Sequence, residues 1–414
     1  MSKEAKEKTL GNIEDYDSQH ELKRNTSPGR MILFSLLLSR FATASPGALL
    51  GLLLIDIGRD FNRPVGVMGQ IQAVSSVVAV VFALLMGIIS VKYNQRKLIL
   101  VGLLAYNIAT LGCGLSPNYA IMLLLYSLVG IGSAMVLPMT MTIVTDLYSP
   151  EKRGSILGYL MASLSISFII GAVIIGYIGE LFGWRMAFLG YAFPLFLLSL
   201  FLCIYSLPLK IGGDHKIEGD DYLIGFKAIR KNKSAIAALV VVVLANASWQ
   251  AVLLYSTAYI RTRFGFSSGF ASVMLLIGAT LFTIGAIVGG RVLNRFGRKR
   301  LSVITAIIAG IFTMAFAVMP SFWLTQLFIW LSCWFVGMRV TAFTTLELEQ
   351  VPEFRGTMMS VDSAFSSLGS ALGSLLGGAA LQLSGYGLMS VTLGALHVIA
   401  SLVIFRFVKD TTYQ

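Results

Sequence analysis

The stretch Gly87–Lys97 reads GIISVKYNQRK, and the stretch Gly290–Arg300 reads GRVLNRFGRKR. Both begin with a glycine and end in basic residues, and they start 203 positions apart. A second echo follows each of them, because Pro150–Gly154 (PEKRG) recurs as Pro352–Gly356 (PEFRG) 202 positions later. Since the two pairs have nearly the same offset, the sequence predicts one structural unit of about half the chain, copied once.

The composition indicates whether the chain folds in water or in a lipid bilayer. Hydrophobic residues make up 56% of the chain and charged residues 13%, and the mean hydropathy is +0.79. So little polar surface is typical of a polytopic membrane protein. Twelve apolar segments are long enough to span a bilayer: Met31–Ile57, Val65–Ser90, Lys97–Leu115, Tyr119–Asp146, Gly154–Glu180, Trp184–Leu207, Ala235–Ile260, Ser267–Leu293, Arg300–Met319, Phe322–Leu348, Gly356–Leu383 and Tyr386–Val408.

Basic residues predict the orientation of these spans. With the sides alternating at each span, 25 of the 32 Lys and Arg residues fall on the side of the N-terminal tail and five on the other side. This bias predicts cytoplasmic termini and a cytoplasmic membrane location. The net charge of +12 is then explained by attraction to anionic lipid headgroups, which argues against nucleic-acid binding. The remaining two basic residues, Arg40 and Arg339, lie inside spans.

The same pattern predicts the domain organisation. Residues 1–30 form a disordered cytoplasmic tail, residues 31–208 a first six-helix bundle and residues 235–408 a second one. Residues 209–234, with acids followed by a basic cluster, form a surface-lying cytoplasmic linker, and residues 409–414 form a short tail. Three scattered cysteines predict neither a disulfide framework nor a metal site, and no cofactor is expected.

The second loop carries a family resemblance. Gly290–Lys299 (GRVLNRFGRK) resembles the loop signature G-x-x-x-D-R-x-G-R-K of the major facilitator superfamily, with Asn294 at the Asp position. The PEKRG stretch after the fourth span, Gly183-Trp184-Arg185 and Arg355–Ser360 (RGTMMS) are similar to other pieces of that family. The resemblance implies an all-α membrane protein with twelve transmembrane helices in two pseudo-symmetric six-helix bundles, in which helices 1, 4, 7 and 10 line a central cavity.

The resemblance also implies a role for the loop charges. In this family such residues latch the cytoplasmic side when the carrier faces outward. Ordinary topology-setting charge is the alternative for any single one of them. The residues that match are Gly87, Lys92, Arg96, Asp146, Arg153, Gly290, Arg295, Gly297, Arg298 and Arg355.

Two arginines inside the membrane are candidates for substrate binding, because a charged side chain in hydrocarbon costs several kcal/mol. Arg40 lies nine residues into the first span, which is about 14 Å of helical rise and near the midplane. Arg339 lies past the middle of the tenth span. The alternatives are a buried ion pair of Arg40 with Asp362 or snorkelling of its side chain, and pairing of Arg339 with Glu347 or Glu349.

The seventh span adds a polar face. Asn246, Trp249, Gln250 and Thr257 share one side of the helix and offer amide groups beside an aromatic surface. We expect Asn246, Trp249 and Gln250 to form a wall of the substrate site. Hydrogen bonding to neighbouring helices is the alternative.

Carboxyl groups in the spans are candidates for proton coupling. Asp362, near the start of the eleventh span, is the first candidate because a carboxyl group there can change protonation as the cavity opens. Asp56, near the outer end of the first span, is the second, with a salt bridge to Arg59 as the alternative. His397 is expected to pack in a peripheral helix. Gly369, Gly373 and Gly377 form a stripe on the eleventh span that predicts close backbone approach.

These features predict a carrier. The sequence contains no phosphate-binding loop, no metal-spaced cluster and no nucleophile elbow, so an enzyme is not expected. The first hypothesis is a monomeric secondary transporter that rocks its halves around a midplane site and exports a small organic solute in exchange for protons. The second is an organic-anion symporter or exchanger that uses Arg40 and Arg339. The third is a transport-inactive membrane sensor or scaffold.

Overall fold

The computed structural model describes residues 29–209, Ile211 and residues 219–410. Within these ranges the chain is helical, with no strand. Eleven helical stretches have the length and hydropathy of membrane spans, and the last, Pro352–Phe407, has 56 residues. A single crossing needs only about 20 residues. Ser384 and Gly385 leave the helical conformation inside that stretch, so it makes two crossings, and the predicted twelve-helix membrane fold is confirmed.

The crossing helices are numbered in chain order. Most of the predicted N-terminal tail, part of the linker and residues 411–414 lie outside the described ranges. The helices are α1 (Arg30–Ala42 and Ser45–Asp60), α2 (Val65–Lys92), α3 (Gln95–Leu115), α4 (Tyr119–Leu147), α5 (Pro150–Ile166, Ser167–Gly171 and Ala172–Phe182), α6 (Trp184–Ser206), α7 (Lys233–Phe264), α8 (Ser268–Phe296), α9 (Arg298–Ala315), α10 (Phe322–Leu348), α11 (residues 355–383) and α12 (residues 386–407), and Gly219–Lys231 is the connecting helix before α7.

The first helix is interrupted where the sequence predicts one continuous span. Its two segments meet at Thr43 and Ala44. Pro46 lies in the first turn of the second segment, and its ring nitrogen has no N–H to donate to the preceding turn. The interruption places a break in the backbone hydrogen bonds next to Arg40, in the middle of the membrane.

Alternate helix ends meet at one face of the molecule, which we call the terminal face because α1 begins there and α12 ends there. Gln350, after α10, donates from Nε2 to the Lys409 carbonyl at 3.1 Å, and the Ser234 hydroxyl at the start of α7 accepts from the Lys409 N–H at 2.8 Å.

The N-terminal half (α1–α6) and the C-terminal half (α7–α12) touch mainly through α2 with α11, α5 with α8, and α1 with α7.

The glycine stripe of α11 packs against α7 within the C-terminal half. A Cβ atom built on Gly369 would lie 2.5 Å from the Val243 carbonyl oxygen, and one built on Gly373 would lie 1.9 Å from the Ala247 carbonyl oxygen. No side chain fits there, because the two backbones are in contact. The predicted close approach is present, and it joins helices of the same half.

This contact gives a stability prediction. Gly373→Ala should lower the free energy of unfolding by about 2 to 3 kcal/mol, because the added methyl group must push α11 away from α7. Thermal unfolding of the purified protein in detergent measures the change. Gly387→Ala is the matched control, since no atom outside its own stretch of helix lies within 4 Å of the place where its new methyl group would stand. Equal unfolding midpoints for the two variants would contradict the close contact.

Candidate functional site

A central cavity of about 360 Å³ lies between the two halves. Most of its polar lining consists of hydroxyl and amide groups, which can donate or accept hydrogen bonds without carrying charge. Polar residues of α1, α2, α3, α4, α7 and α11 contribute the following side chains to it: Arg40, Thr43, Gln72, Ser75, Ser76, Tyr106, Tyr126, Ser133, Asn246, Gln250, Ser363, Ser366, Ser367 and Ser370.

The helices around the cavity differ in one respect from those that the family resemblance implies. Residues of α1, α4 and α7 line it as expected. Among the described lining residues, none belongs to α10, whereas α2 and α11 provide most of the serines. As a result, Arg40 of α1 lies at the cavity, whereas Arg339 of α10 does not.

Arg40 lies in the cavity wall. Its side chain is only 6% exposed, and its Nε atom has no hydrogen-bond partner. The Tyr106 phenol, which also lines the cavity, is nearby. In the described part of the chain, no carboxylate lies within ion-pair distance of the guanidinium, so the alternative of a pair with Asp362 is not what the structure contains.

Arg339 lies elsewhere, in a buried cluster of α10, α11 and α12. It is 4% exposed and does not line the cavity. Glu347, two turns further along α10, and Asp362 of α11 are close enough to act on its charge. No ion pair joins Arg339 to Glu347 in the described chain, so the two acids act on its charge without a direct pair. The placement does not support a substrate-binding role for Arg339.

The same cluster contains Asp362, the first candidate for proton coupling. Its carboxyl group interacts with that of Glu347, and both lie next to Arg339. Glu347 is 4% exposed and its Oε1 atom has no partner. Sequence reasoning does not select Glu347 as a functional residue. Its eight-residue spacing from Arg339 on one helix face is the available signal.

His397 of α12 borders this cluster. It is 1% exposed, and neither ring nitrogen has a hydrogen-bond partner. Arg339 is the charged group that acts on it. The expectation of a packed histidine in a peripheral helix agrees with this burial.

The predicted polar face of α7 divides between two environments. Asn246 and Gln250 line the cavity, and Asn246 donates from Nδ2 to the Ser366 hydroxyl at 3.1 Å. Trp249 is not part of the lining, because its ring stacks on Phe282 of α8 with centroids 5.0 Å apart. The Thr257 hydroxyl donates to the Gly51 carbonyl of α1 at 2.5 Å.

An ion pair joins the halves at the opposite face. Arg261 of α7 donates to both carboxylate oxygens of Asp56, at 2.6 and 2.9 Å, and to the Leu52 carbonyl oxygen at 2.8 Å. The side chains are 11% and 26% exposed. Asp56, the second candidate for proton coupling, is thus held in an ion pair with Arg261, and the alternative of a salt bridge with Arg59 is wrong. The neighbour in sequence is replaced by an arginine of the other half, which points across the interface.

Further contacts between the halves close the same side. The Ser370 hydroxyl of α11 accepts from Ser76 at 3.1 Å and from the Gln72 amide at 3.4 Å, both on α2. Between α5 and α8, Glu180 accepts from the Gly269 N–H at 2.9 Å. These contacts join the halves at the cavity wall, which includes Gln72, Ser76 and Ser370, and between the cavity and the opposite face.

The predicted loop residues of the N-terminal half make their contacts at the terminal face. Asp146 accepts from the Gln95 side-chain amide at 2.7 Å, Arg96 donates to the Ile204 carbonyl at 2.6 Å, and Arg153 donates to the Tyr148 carbonyl at 2.9 Å. Each of these contacts joins two residues of the same half. Gly87 and Lys92 belong to the last turns of α2, and their side-chain surroundings lie outside the described part.

The loop residues of the C-terminal half follow the same pattern. Arg298 forms an ion pair with Glu349, after α10. Arg295 and Arg355 are exposed to solvent. Gly297 ends α8 with φ at 76°, a conformation that favours glycine, and Gly290 faces the Thr341 methyl group of α10.

Comparison with known proteins identifies the family. The family model described as the Major Facilitator Superfamily matches residues 32–361 and 284–413. The chain belongs to the major facilitator superfamily. The family confirms the resemblance seen in the loops and the expectation of a transporter rather than an enzyme.

Relatives within the superfamily are distant. Multidrug resistance protein 2 of Bacillus subtilis (strain 168) is 24% identical over 302 residues, which cover 71% of this chain and 74% of that protein. The uncharacterized MFS-type transporter YwfA of the same organism is 22% identical over 379 residues, covering 89% of this chain and 90% of that protein.

Solved structures of the superfamily share the fold. A crystal structure of a D-xylose-proton symporter superposes with a TM-score of 0.78 at 15% identity, covering 93% of this chain and 99% of that one. A bacterial homolog of the human lysosomal transporter Spinster, inward-facing and occupied, superposes with a TM-score of 0.72 at 17% identity, covering 90% and 95%.

Proposed function

We propose that this chain is a secondary transporter that moves a small organic solute across the cytoplasmic membrane by alternating access. The observation that carries the proposal is a central cavity lined by both halves and sealed at one face by contacts between them. Such a site at the interface of two repeats becomes accessible from either side when the halves rock. The transported solute is then bound in the cavity next to Arg40.

The face at which the two halves are in contact indicates whether the carrier is inward-facing or outward-facing. The basic-residue bias places the terminal face in the cytoplasm, so the sealed face is the external one. The printed contacts of Arg96, Arg153 and Arg298 at the terminal face are with residues of their own halves, as expected of a disengaged cytoplasmic latch. The conformation is therefore inward-facing, and the loop charges re-pair across the halves when the carrier faces outward.

Proton coupling is assigned to the Glu347–Asp362 pair. Two carboxylates beside a single arginine carry a net charge of one minus, and one added proton makes the group neutral inside the membrane. Ser366, which lines the cavity and contacts Asn246, lies one helical turn from Asp362. A bound solute can therefore influence the carboxyl pair. Export in exchange for protons is the direction suggested by relatives named as multidrug resistance proteins.

A reversible cross-link tests alternating access. Ser76 and Ser370 belong to different halves and their hydroxyl oxygens are 3.1 Å apart, so cysteines at both positions should form a disulfide. We expect oxidation of Ser76→Cys/Ser370→Cys to reduce transport at least tenfold by holding the external face shut, and a reducing agent to restore it. Flux in proteoliposomes measures the effect.

The two single-cysteine variants are the controls, since neither can form the bridge. The native cysteines, Cys113, Cys203 and Cys333, are buried and should not react. Full transport by the oxidised double variant, with the disulfide verified by mass spectrometry, would refute the proposed rocking motion.

A further inference from the structure

Within the described lining of the cavity, Arg40 is the one charged side chain. The guanidinium keeps its positive charge at any physiological pH. The remaining polar groups are hydroxyls and amides, which supply hydrogen bonds but no negative charge to balance it. The site is therefore electropositive, and its charge has to be balanced by something other than the lining.

The two membrane arginines provide a comparison inside the same protein. Arg339 is as deeply buried as Arg40, but Glu347 and Asp362 stand beside it. In the described chain neither arginine has a carboxylate at ion-pair distance, and the Nε atoms of both lack a partner. The difference is that two carboxyl groups are close enough to act on the charge of Arg339, whereas Tyr106 is the group that acts on Arg40. An unpaired buried charge is strongly unfavourable unless a ligand neutralises it.

The geometry points to a hydrophilic organic anion with several hydroxyl groups as the solute, its anionic group held by Arg40. This inference rests on the proposed transport function and names the substrate class of the same cavity. A guanidinium binds a carboxylate through two parallel hydrogen bonds, which fixes the orientation of the solute as well as its charge. Arg339 has no part in the site.

The α11 wall of the cavity fits the polyhydroxylated part of such a solute. Ser363, Ser366, Ser367 and Ser370 follow the i, i+3, i+4, i+7 spacing of one helix face and line the cavity. Gln72 and Gln250 add amide groups from α2 and α7, and the volume of about 360 Å³ accommodates a six-carbon sugar acid. A flat apolar cation would find no negative charge in this lining and could not use the hydrogen-bonding capacity of its hydroxyl and amide groups.

Matched solutes test the charge preference on the full-length protein in detergent. Gluconate, sorbitol and N-methylglucamine have similar polyol chains with a negative, zero and positive charge, and lactate, propane-1,2-diol and 1-amino-2-propanol repeat the series at a smaller size. We expect an anion to raise the unfolding temperature by several degrees at millimolar concentration. Its neutral and cationic counterparts should have no effect at matched ionic strength.

Variants assign the effect to Arg40. Arg40→Gln should weaken binding of the stabilising anion at least tenfold, and Arg40→Lys should retain part of the affinity because the charge is kept without the fork geometry. Arg59→Gln, an exposed arginine at the opposite face, should bind like the natural protein. The unfolding temperature without solute shows whether each variant is folded.

Stabilisation by the cations or neutral polyols, by no anion, or equally in Arg40→Gln would overturn the inference. These outcomes are separable from failure of the proposed function. A carrier that moves cations and is still blocked by the Ser76–Ser370 disulfide keeps alternating access and loses only the anion assignment. A carrier that the disulfide leaves active loses the rocking mechanism whatever the charge of its solute.

Discussion

Proton-driven flux should fall at least tenfold when Asp362 is replaced by Asn, while exchange of solute across the same membrane continues. The amide resembles the protonated acid in shape and charge, so the cluster with Arg339 and Glu347 can no longer lose its proton. Net proton-coupled transport requires that loss in every cycle. Exchange of labelled for unlabelled solute does not require it.

The measurement uses proteoliposomes that contain the purified chain and the solute that stabilises it most. An imposed pH gradient drives net flux, and a second experiment without a gradient follows exchange. Glu347→Gln should behave similarly, because it removes the other half of the carboxyl pair. Retained exchange shows that the variants are folded and inserted.

Glu353→Gln is the matched control, since it removes an exposed carboxyl group near the start of α11 without touching the cluster. Its proton-driven flux should equal that of the natural chain. Unchanged proton-driven flux in both Asp362→Asn and Glu347→Gln would remove the carboxyl pair from the coupling mechanism.

Under the proposed orientation, charge reversal at the Asp56–Arg261 ion pair should open the cavity to the outside. Arg261→Glu places a second carboxylate beside Asp56 and also removes the bond to the Leu52 carbonyl. A partly buried contact of this kind is worth about 1.5 to 3 kcal/mol. Each 1.4 kcal/mol changes a population ratio tenfold, so the outward-facing fraction should increase by about one to two orders of magnitude.

A cysteine in the cavity wall, Ser75→Cys, reports the change. In intact cells, a membrane-impermeant maleimide should label it at least tenfold faster in the Arg261→Glu background. The double reversal Asp56→Arg/Arg261→Glu restores an attractive pair and should bring labelling part of the way back.

Arg185→Glu is the control for this experiment. Arg185 also pairs with an aspartate at the opposite face, Asp60, but both belong to the N-terminal half. Its reversal breaks an ion pair without separating the halves, so labelling of Ser75→Cys should stay slow. Equal acceleration in both variants would show that the Asp56–Arg261 pair does not hold the halves together.

Pairs of interacting groups are the part of the site that sequence patterns predict least well. Sequence distance favours Arg59 as the partner of Asp56, because the two are three residues apart. In the structure Arg261 takes that place, 205 positions further along the chain. Helical spacing groups Trp249 with Asn246 and Gln250, yet the orientation of α7 relative to α8 lets its ring stack on Phe282 instead.

The two membrane arginines illustrate the same limit. Hydropathy and charge place both inside spans, and the family resemblance places both near the central cavity. The structure separates them, because α10 does not contribute to the described lining and turns Arg339 toward Glu347 and Asp362. No local sequence pattern distinguishes an arginine that has carboxyl groups nearby from one that has none.

The sequence by itself determined the solvent, the number of crossings and the internal repeat, since hydrophobicity and span length are properties of contiguous residues and are fixed by the thickness of the bilayer. Only the tertiary structure decided that Arg40 faces the cavity without an acidic partner, that Glu347 joins Asp362, and that Asp56 meets Arg261. Each of these contacts depends on the rotation and packing of helices that are distant in the chain, and such packing is set by many weak contacts that no single stretch encodes.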